Sequence, residues 1–194
     1  MAKQFKFKKS MKVVYPAHGV GEIKGIETQT VVGTEISTYV VQFEKEKMVL
    51  RIPVHRAENN GLRHLCTEKE IESVRKTLAG RPKTSRGMWS RRAKEYEAKI
   101  NSGDIVFVAE VLRDLHKNVD DPDRSYSERI IYESALDRIA GEISAIRKID
   151  LKDAQAYLVK TINDNNPQYN KKAATKKKGA ANDDVDAEAE DIAA

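Results

Sequence analysis

The stretch TEKEIESVRKTL, Thr67 to Leu78, divides the chain into two kinds of pattern. It opens as a capping box, in which the Thr67 hydroxyl can accept from the Glu70 backbone N–H while the Glu70 carboxylate reaches back. Ile71, Val74 and Leu78 then recur at the spacing of one helical face. Before this stretch the apolar period is that of a strand. In TYVVQFE, Thr38 to Glu44, Tyr39, Val41 and Phe43 alternate with Thr38, Val40 and Gln42, which places one face on a core. MKVVYP stops at Pro16, AHGVGEIKGIE combines turn-permitting glycines with strand-spaced apolar residues, and KMVLRIP ends at Pro53. Gly33 interrupts TQTVVGTEIS where a hairpin turn would suit. Several short strands over residues 11–53 predict a small, strongly curved sheet or barrel.

On the other side of the dividing stretch the pattern is helical. AGRPKTSRG, residues 79–87, predicts a basic loop, and a helix follows over Ser90–Ile100. The next begins near Asp104, with Ile105, Val108, Leu112 and Leu115 on one face. Ser125 and Glu128 form another capping-box pattern ahead of a long helix whose Ile131, Ala135, Ile139, Ile143 and Ile146 share a side. A last helix runs from Asp150 to Ile162. The fold class is therefore α+β: a small β unit over 1–62, a compact all-α unit of about five helices over 63–166, and a tail over 167–194. That tail is polar and split into a lysine block and an acidic block, a composition that predicts disorder.

Charge is unevenly spread within the net +5. Residues 1–66 carry 11 Lys/Arg against 6 Asp/Glu and residues 67–100 carry 10 against 5, whereas residues 101–170 carry 9 against 13. A basic first half favours a polyanionic partner, most commonly nucleic acid. The lone Cys66 rules out an internal disulfide framework and fits a reducing compartment. No apolar run approaches the roughly 20 residues of a membrane span, and the basic start leads into no signal core, so a cytoplasmic protein with no membrane partner is expected.

Catalytic signatures are missing. The sequence has no phosphate-binding loop, GxGxxG, HExxH or GxSxG pattern. His18, His55, His64 and His116 are scattered, and the acidic residues of 101–170 mostly fall away from the apolar stripes, as on a solvated face. The expectation is a non-enzyme with no metal and no cofactor.

The chemistry-bearing segment is instead RGMWSRRAKEYEAKI, Arg86 to Ile100, which holds the only tryptophan. Arg81, Lys83, Arg86, Arg91, Arg92, Lys94 and Lys99 surround it with few acids between. Long cations near a helix start suit phosphate. Two readings of Trp89 stand open. If it is already helical, Trp89, Ala93, Tyr96 and Ile100 form one buried face and the indole anchors the helix. If it precedes a helix capped by Ser90, it projects outward as an apolar wedge able to stack in a minor groove.

The motifs VVYPAHGVGEI with IET, YVVQFE with MVLRIP, and MWSRRAKEYEAKINSGD with VAEVLRDL resemble, in that order, the CarD family of bacterial transcription regulators. The resemblance covers about residues 5–162. It implies a Tudor-like N-terminal barrel that binds the RNA polymerase β subunit and a helical domain that binds promoter DNA in the minor groove without reading sequence. It implies that Trp89 is the wedge at the upstream edge of the transcription bubble, with Arg91, Arg92 and Lys94 on phosphates, and the basic segment adds Arg86 to these expected DNA contacts. Arg51 matches a polymerase-contacting position, and the strand from Thr28 through Gln29, Thr30 and Val31 matches the edge that meets the β subunit. Gln29 stands where the family pattern has arginine, which weakens the charge term there. The implied protein is a monomeric, nucleoid-associated regulator of open-complex formation. Its rivals are a DNA-architectural protein acting without polymerase and an adaptor whose basic segment meets an acidic protein.

Overall fold

A computed structural model of the chain describes residues 5–31, 34–83, 87–116 and 124–166. The turn expected at Gly33, Arg86 of the basic loop and the tail over 167–194 lie outside the described residues.

The β unit is one antiparallel sheet of β1 (Lys12–Tyr15), β2 (Gly19–Val31), β3 (Thr34–Phe43), β4 (Met48–Pro53) and β5 (Arg63–His64), in the order β4-β3-β2-β1-β5. A 3-10 turn at Val54–Arg56 follows β4. The alternation seen in the sequence is the buried face: Tyr39, Val41 and Phe43 enter a core with Val13, Ile23, Ile52 and Leu62. Phe7, ahead of the first strand, closes that core edge-on to Tyr39, with ring centroids 5.5 Å apart. The sheet bends because β2 is a single long strand whose register slips between Ile23 and Gly25, leaving Lys24 as a bulge. At Gly21 a Cβ would lie 2.8 Å from both Val41 and the Phe43 ring, so only hydrogen fits against the core. The pairing of β5 with β1 puts the last sheet contacts past residue 62.

The helical unit comprises α1 (Glu68–Ala79), α2 (Trp89–Asn101), α3 (Ile105–His116), α4 (Tyr126–Arg147) and α5 (Leu151–Asn165). Both halves of the first capping box form. The Thr67 hydroxyl accepts from the Glu70 N–H at 3.4 Å, and the Glu70 carboxylate accepts the Thr67 N–H at 2.6 Å. Those bonds, the backbone one foremost, hold the Glu70 carboxyl below its usual range. The apolar stripes of all five helices converge on one core around α3, which packs against α1, α2 and α4.

At α4 the sequence expectation is half right. The Ser125 hydroxyl accepts the Glu128 N–H at 3.2 Å, but the Glu128 carboxylate turns away to Arg92 and does not complete the box. The acidic face also has exceptions. Asp114 is buried, accepting from Arg113 Nε and from the Lys83 backbone N–H at 2.8 and 2.9 Å, which ties the loop after α1 to α3. Glu142 is 3 % exposed.

Glu142 joins the two units. Its carboxylate receives a fork from Arg63 at 2.6 and 2.9 Å and the Cys66 N–H at 3.1 Å, while Arg63 Nε donates to the Gly103 carbonyl at 2.7 Å. One buried carboxylate thus binds the end of the sheet, the linker into α1 and, through Arg63, the turn before α3. Lys45 with Asp137, and Arg138 with the Ala17 carbonyl, extend the junction along α4. A bidentate arginine–carboxylate pair fixes direction as well as distance, so the junction sets the angle between sheet and bundle.

Candidate functional site

The site grows from the start of α2. Its N-cap is Met88, extended at φ −60 and ψ 141, with no side chain capping the helix. The Met88 carbonyl already accepts from the Arg91 and Arg92 N–H groups, at 3.1 and 3.2 Å. Trp89 is therefore the first helical residue, and Ser90 is not the cap. Packing decides the boundary: the indole lies against Tyr96 two turns on, ring centroids 6.3 Å apart, and joins the edge of the helical core with Ala93.

Trp89 is nonetheless only half buried. Its Nε1–H donates to the Ser127 hydroxyl at 2.8 Å, and the Arg92 guanidinium sits over its ring at 5.3 Å. Arg92 in turn faces Glu128 at 3.6 Å. The first turns of α2 and α4 thus lie side by side and clamp the indole from three directions. Such preorganisation spares a recognition group the entropy of being ordered on binding. A planar ring fixed in this way, part of it still open to water and exposed cations beside it, can stack on a base or fill an opened step.

Of the cations read from the sequence, Arg91 and Lys94 are exposed on α2, and Arg81 and Lys83 are exposed on the loop before it. Arg92 is drawn onto Trp89, and Lys99 pairs with Glu110 at 2.9 Å. Sequence reading missed Met88, Ser127 and Glu128. For Met88 the signal was present, an apolar residue in a basic loop where a polar cap is usual. For the α4 pair there was none, since their contacts span the gap between helices.

The second group of candidates lies on the sheet. Arg51 is exposed and pairs with Glu27 at 3.0 Å. Thr28, Gln29 and Thr30 are exposed on β2. By register Gln29 and Arg51 share the outer face, and Thr28 and Thr30 point to the other. Val31 pairs with Thr34 at the end of the strand. β1 covers β2 only from Gly19 to Glu22. Among the described residues, β2 from Gly25 to Val31 pairs with β3 alone, so this segment has an open edge.

Three of the four histidines make local contacts, and His55 is exposed on the 3-10 turn. His18 stacks on Tyr15 and meets Glu46 at 2.6 Å, His64 lies against Phe7, and buried His116 contacts the Tyr132 hydroxyl and Asn163, each at 2.9 Å. Among the described residues no three acidic, cysteine or histidine side chains gather as metal ligands, and no helix is long and apolar enough to cross a membrane. Burial first, and then Glu142, pushes the Cys66 thiol up to about 12, which marks it as inert rather than nucleophilic.

Fold and site together define an α+β protein of two joined units, a Tudor-like sheet and a helical bundle with a basic, aromatic tip. The sheet unit matches the model of the CarD-like/TRCF RID domain over residues 7–66, and the bundle matches the CarD C-terminal domain over 73–159. The chain belongs to the CarD family of transcription regulators. It is similar to the putative transcription factor YdeB of Bacillus subtilis, 24% identical over 145 residues that cover 75% of this chain and 95% of that one. It is also similar to a solved structure described as CdnLNt from Myxoccoccus xanthus, at 37% identity, covering 34% of this chain and 94% of that one, with a TM-score of 0.28.

Proposed function

We propose that this protein regulates transcription initiation by holding the RNA polymerase β subunit with its sheet and melted promoter DNA with the tip of α2. The open edge of β2 from Gly25 to Val31 suits strand addition, in which main-chain bonds give affinity and alternate side chains give specificity. Thr28, Gln29, Thr30 and Val31 lie along it, and exposed Arg51 stands on the adjoining face as a charged contact. Trp89 occupies the edge of unstacked DNA. Arg91 and Lys94 meet phosphates without reading sequence, Arg92 does so or steadies the ring, and Arg86 joins them on the strength of the sequence pattern alone.

The observation that carries this reading is the half-buried indole, clamped by Ser127 and Arg92 beside exposed cations at a helix start that no side chain caps. A core tryptophan would need neither the cations nor the exposure. The energetic demand is small: a preference for the melted state of about 1–3 kcal/mol changes its population several-fold to about a hundredfold.

Photocrosslinking from position 89 in a complex with polymerase and promoter tests it. The reading predicts labelling of DNA at the upstream edge of the bubble. Labelling confined to protein would favour an adaptor, and tight, salt-steep binding of the protein alone to duplex DNA would favour an architectural role.

A further inference from the structure

Resting on that reading, we infer that Tyr126 on α4 and Met88 on α2 flank Trp89 as further apolar contacts to the melted DNA, so that the nucleic-acid surface spans two helices. Met88 and Tyr126 are 78 % and 77 % exposed, the two most exposed large apolar side chains among the described residues. Both stand at helix starts, Met88 as the N-cap of α2 and Tyr126 as the first residue of α4. The Trp89 Nε1–H bond to the Ser127 hydroxyl places the indole beside the turn that carries Tyr126. The Arg92–Glu128 pair repeats the juxtaposition, from the next turn of α2 to the residue after Ser127, so both helices begin at the same end of the bundle.

Neither side chain has work to do in the fold. α4 is capped by Ser125, leaving the Tyr126 ring to water, and Met88 holds a position where a polar cap would serve α2 better. An apolar cluster rimmed by cations fits a ligand that combines flat apolar faces with negative charge. Unstacked bases on a phosphate chain have both, and exposed Arg91 and Lys94 supply the complementary charge. An acidic protein surface would leave the aromatic ring unmatched.

Open-complex lifetime, measured with polymerase and the full chain on a promoter that melts poorly, provides the test. Wild type is compared with Trp89→Ala, Met88→Ala, Tyr126→Ala and Tyr126→Phe, with helicity, thermal unfolding and polymerase pull-down measured on each. Loss of one stacking contact costs roughly tenfold in affinity for the melted strand. Tyr126→Ala and Met88→Ala should therefore shorten the lifetime several-fold while folding and pull-down stay unchanged, and Tyr126→Phe should retain the effect because the ring does the stacking. If wild type lengthens the lifetime and Trp89→Ala abolishes it, but Tyr126→Ala and Met88→Ala match wild type, the two-helix surface is wrong and the function stands. Loss of polymerase pull-down in Tyr126→Ala overturns it differently, by making the patch a protein contact. A wild-type protein without effect on lifetime overturns both the function and this inference.

Discussion

Replacing Glu142 with alanine should separate the sheet from the bundle more effectively than any other single change. The carboxylate is 3 % exposed and accepts three hydrogen bonds, two of them from a guanidinium. Its removal strands the Arg63 charge, whose side chain is 30% exposed and keeps only the Gly103 and His64 carbonyls, and leaves the Cys66 N–H buried without an acceptor. Breaking a buried pair on one side costs about 3–5 kcal/mol. Partial exposure of Arg63 puts the loss near the lower end, about 3 kcal/mol, or roughly 6–12 °C in Tm for a chain of this size. Arg63→Met combined with Glu142→Leu should recover all but about 1–2 kcal/mol, the part owed to the Cys66 N–H. Urea and thermal unfolding of the three proteins measure this. A single variant within about 0.5 kcal/mol of wild type, or a double variant no better than the single, would refute the reasoning.

Further outcomes follow from the same contacts. Cys66, with its thiol pushed up to about 12, should alkylate slowly at pH 8, and faster in Glu142→Ala because the upward push of that carboxylate, second to burial, is gone; mass spectrometry of iodoacetamide adducts reads both rates. Thr67→Ala should cost about 1 kcal/mol by urea unfolding. Since the Glu70 carboxyl is lowered in the fold, its contribution is present above the ordinary glutamate range and lost as pH falls through the lowered value, so Glu70→Gln should flatten the acid side of the stability profile. Gly21→Ala should cost about 1–3 kcal/mol by crowding Val41 and Phe43, seen as a lower urea midpoint. Arg51→Glu should weaken polymerase pull-down while leaving Tm nearly unchanged, because exposed pairs such as Arg51–Glu27 contribute only about 0–1 kcal/mol.

What the sequence reveals and what it hides divide along range of interaction. The period of Tyr39, Val41 and Phe43 and the box of Thr67 and Glu70 are written in neighbouring residues, and both are present in the fold. The bend of β2 at Lys24 is not, because a bulge is a property of pairing with β3. Local chemistry allowed Ser90 as a cap beside the reading in which Trp89 is already helical. The contacts of Trp89 with Tyr96 and with Ser127 on another helix outweigh that preference and pull the helix start back. Glu128 looked like the second half of a capping box until Arg92 arrived from α2, and Glu142 looked solvated until Arg63 arrived from β5. In each case a partner distant in sequence overrode a local rule.

The account rests most directly on what Trp89 does at promoter DNA. The decisive measurement is the dissociation rate of open complexes with polymerase alone, with wild-type protein and with Trp89→Ala, followed by a fluorescent base at the upstream edge of the bubble. The account predicts that wild type slows dissociation by several-fold or more, and that Trp89→Ala loses most of this while still folding and still binding polymerase. A folded, polymerase-bound Trp89→Ala that slows dissociation as well as wild type would contradict it, and would leave the indole with no task beyond joining α2 to α4.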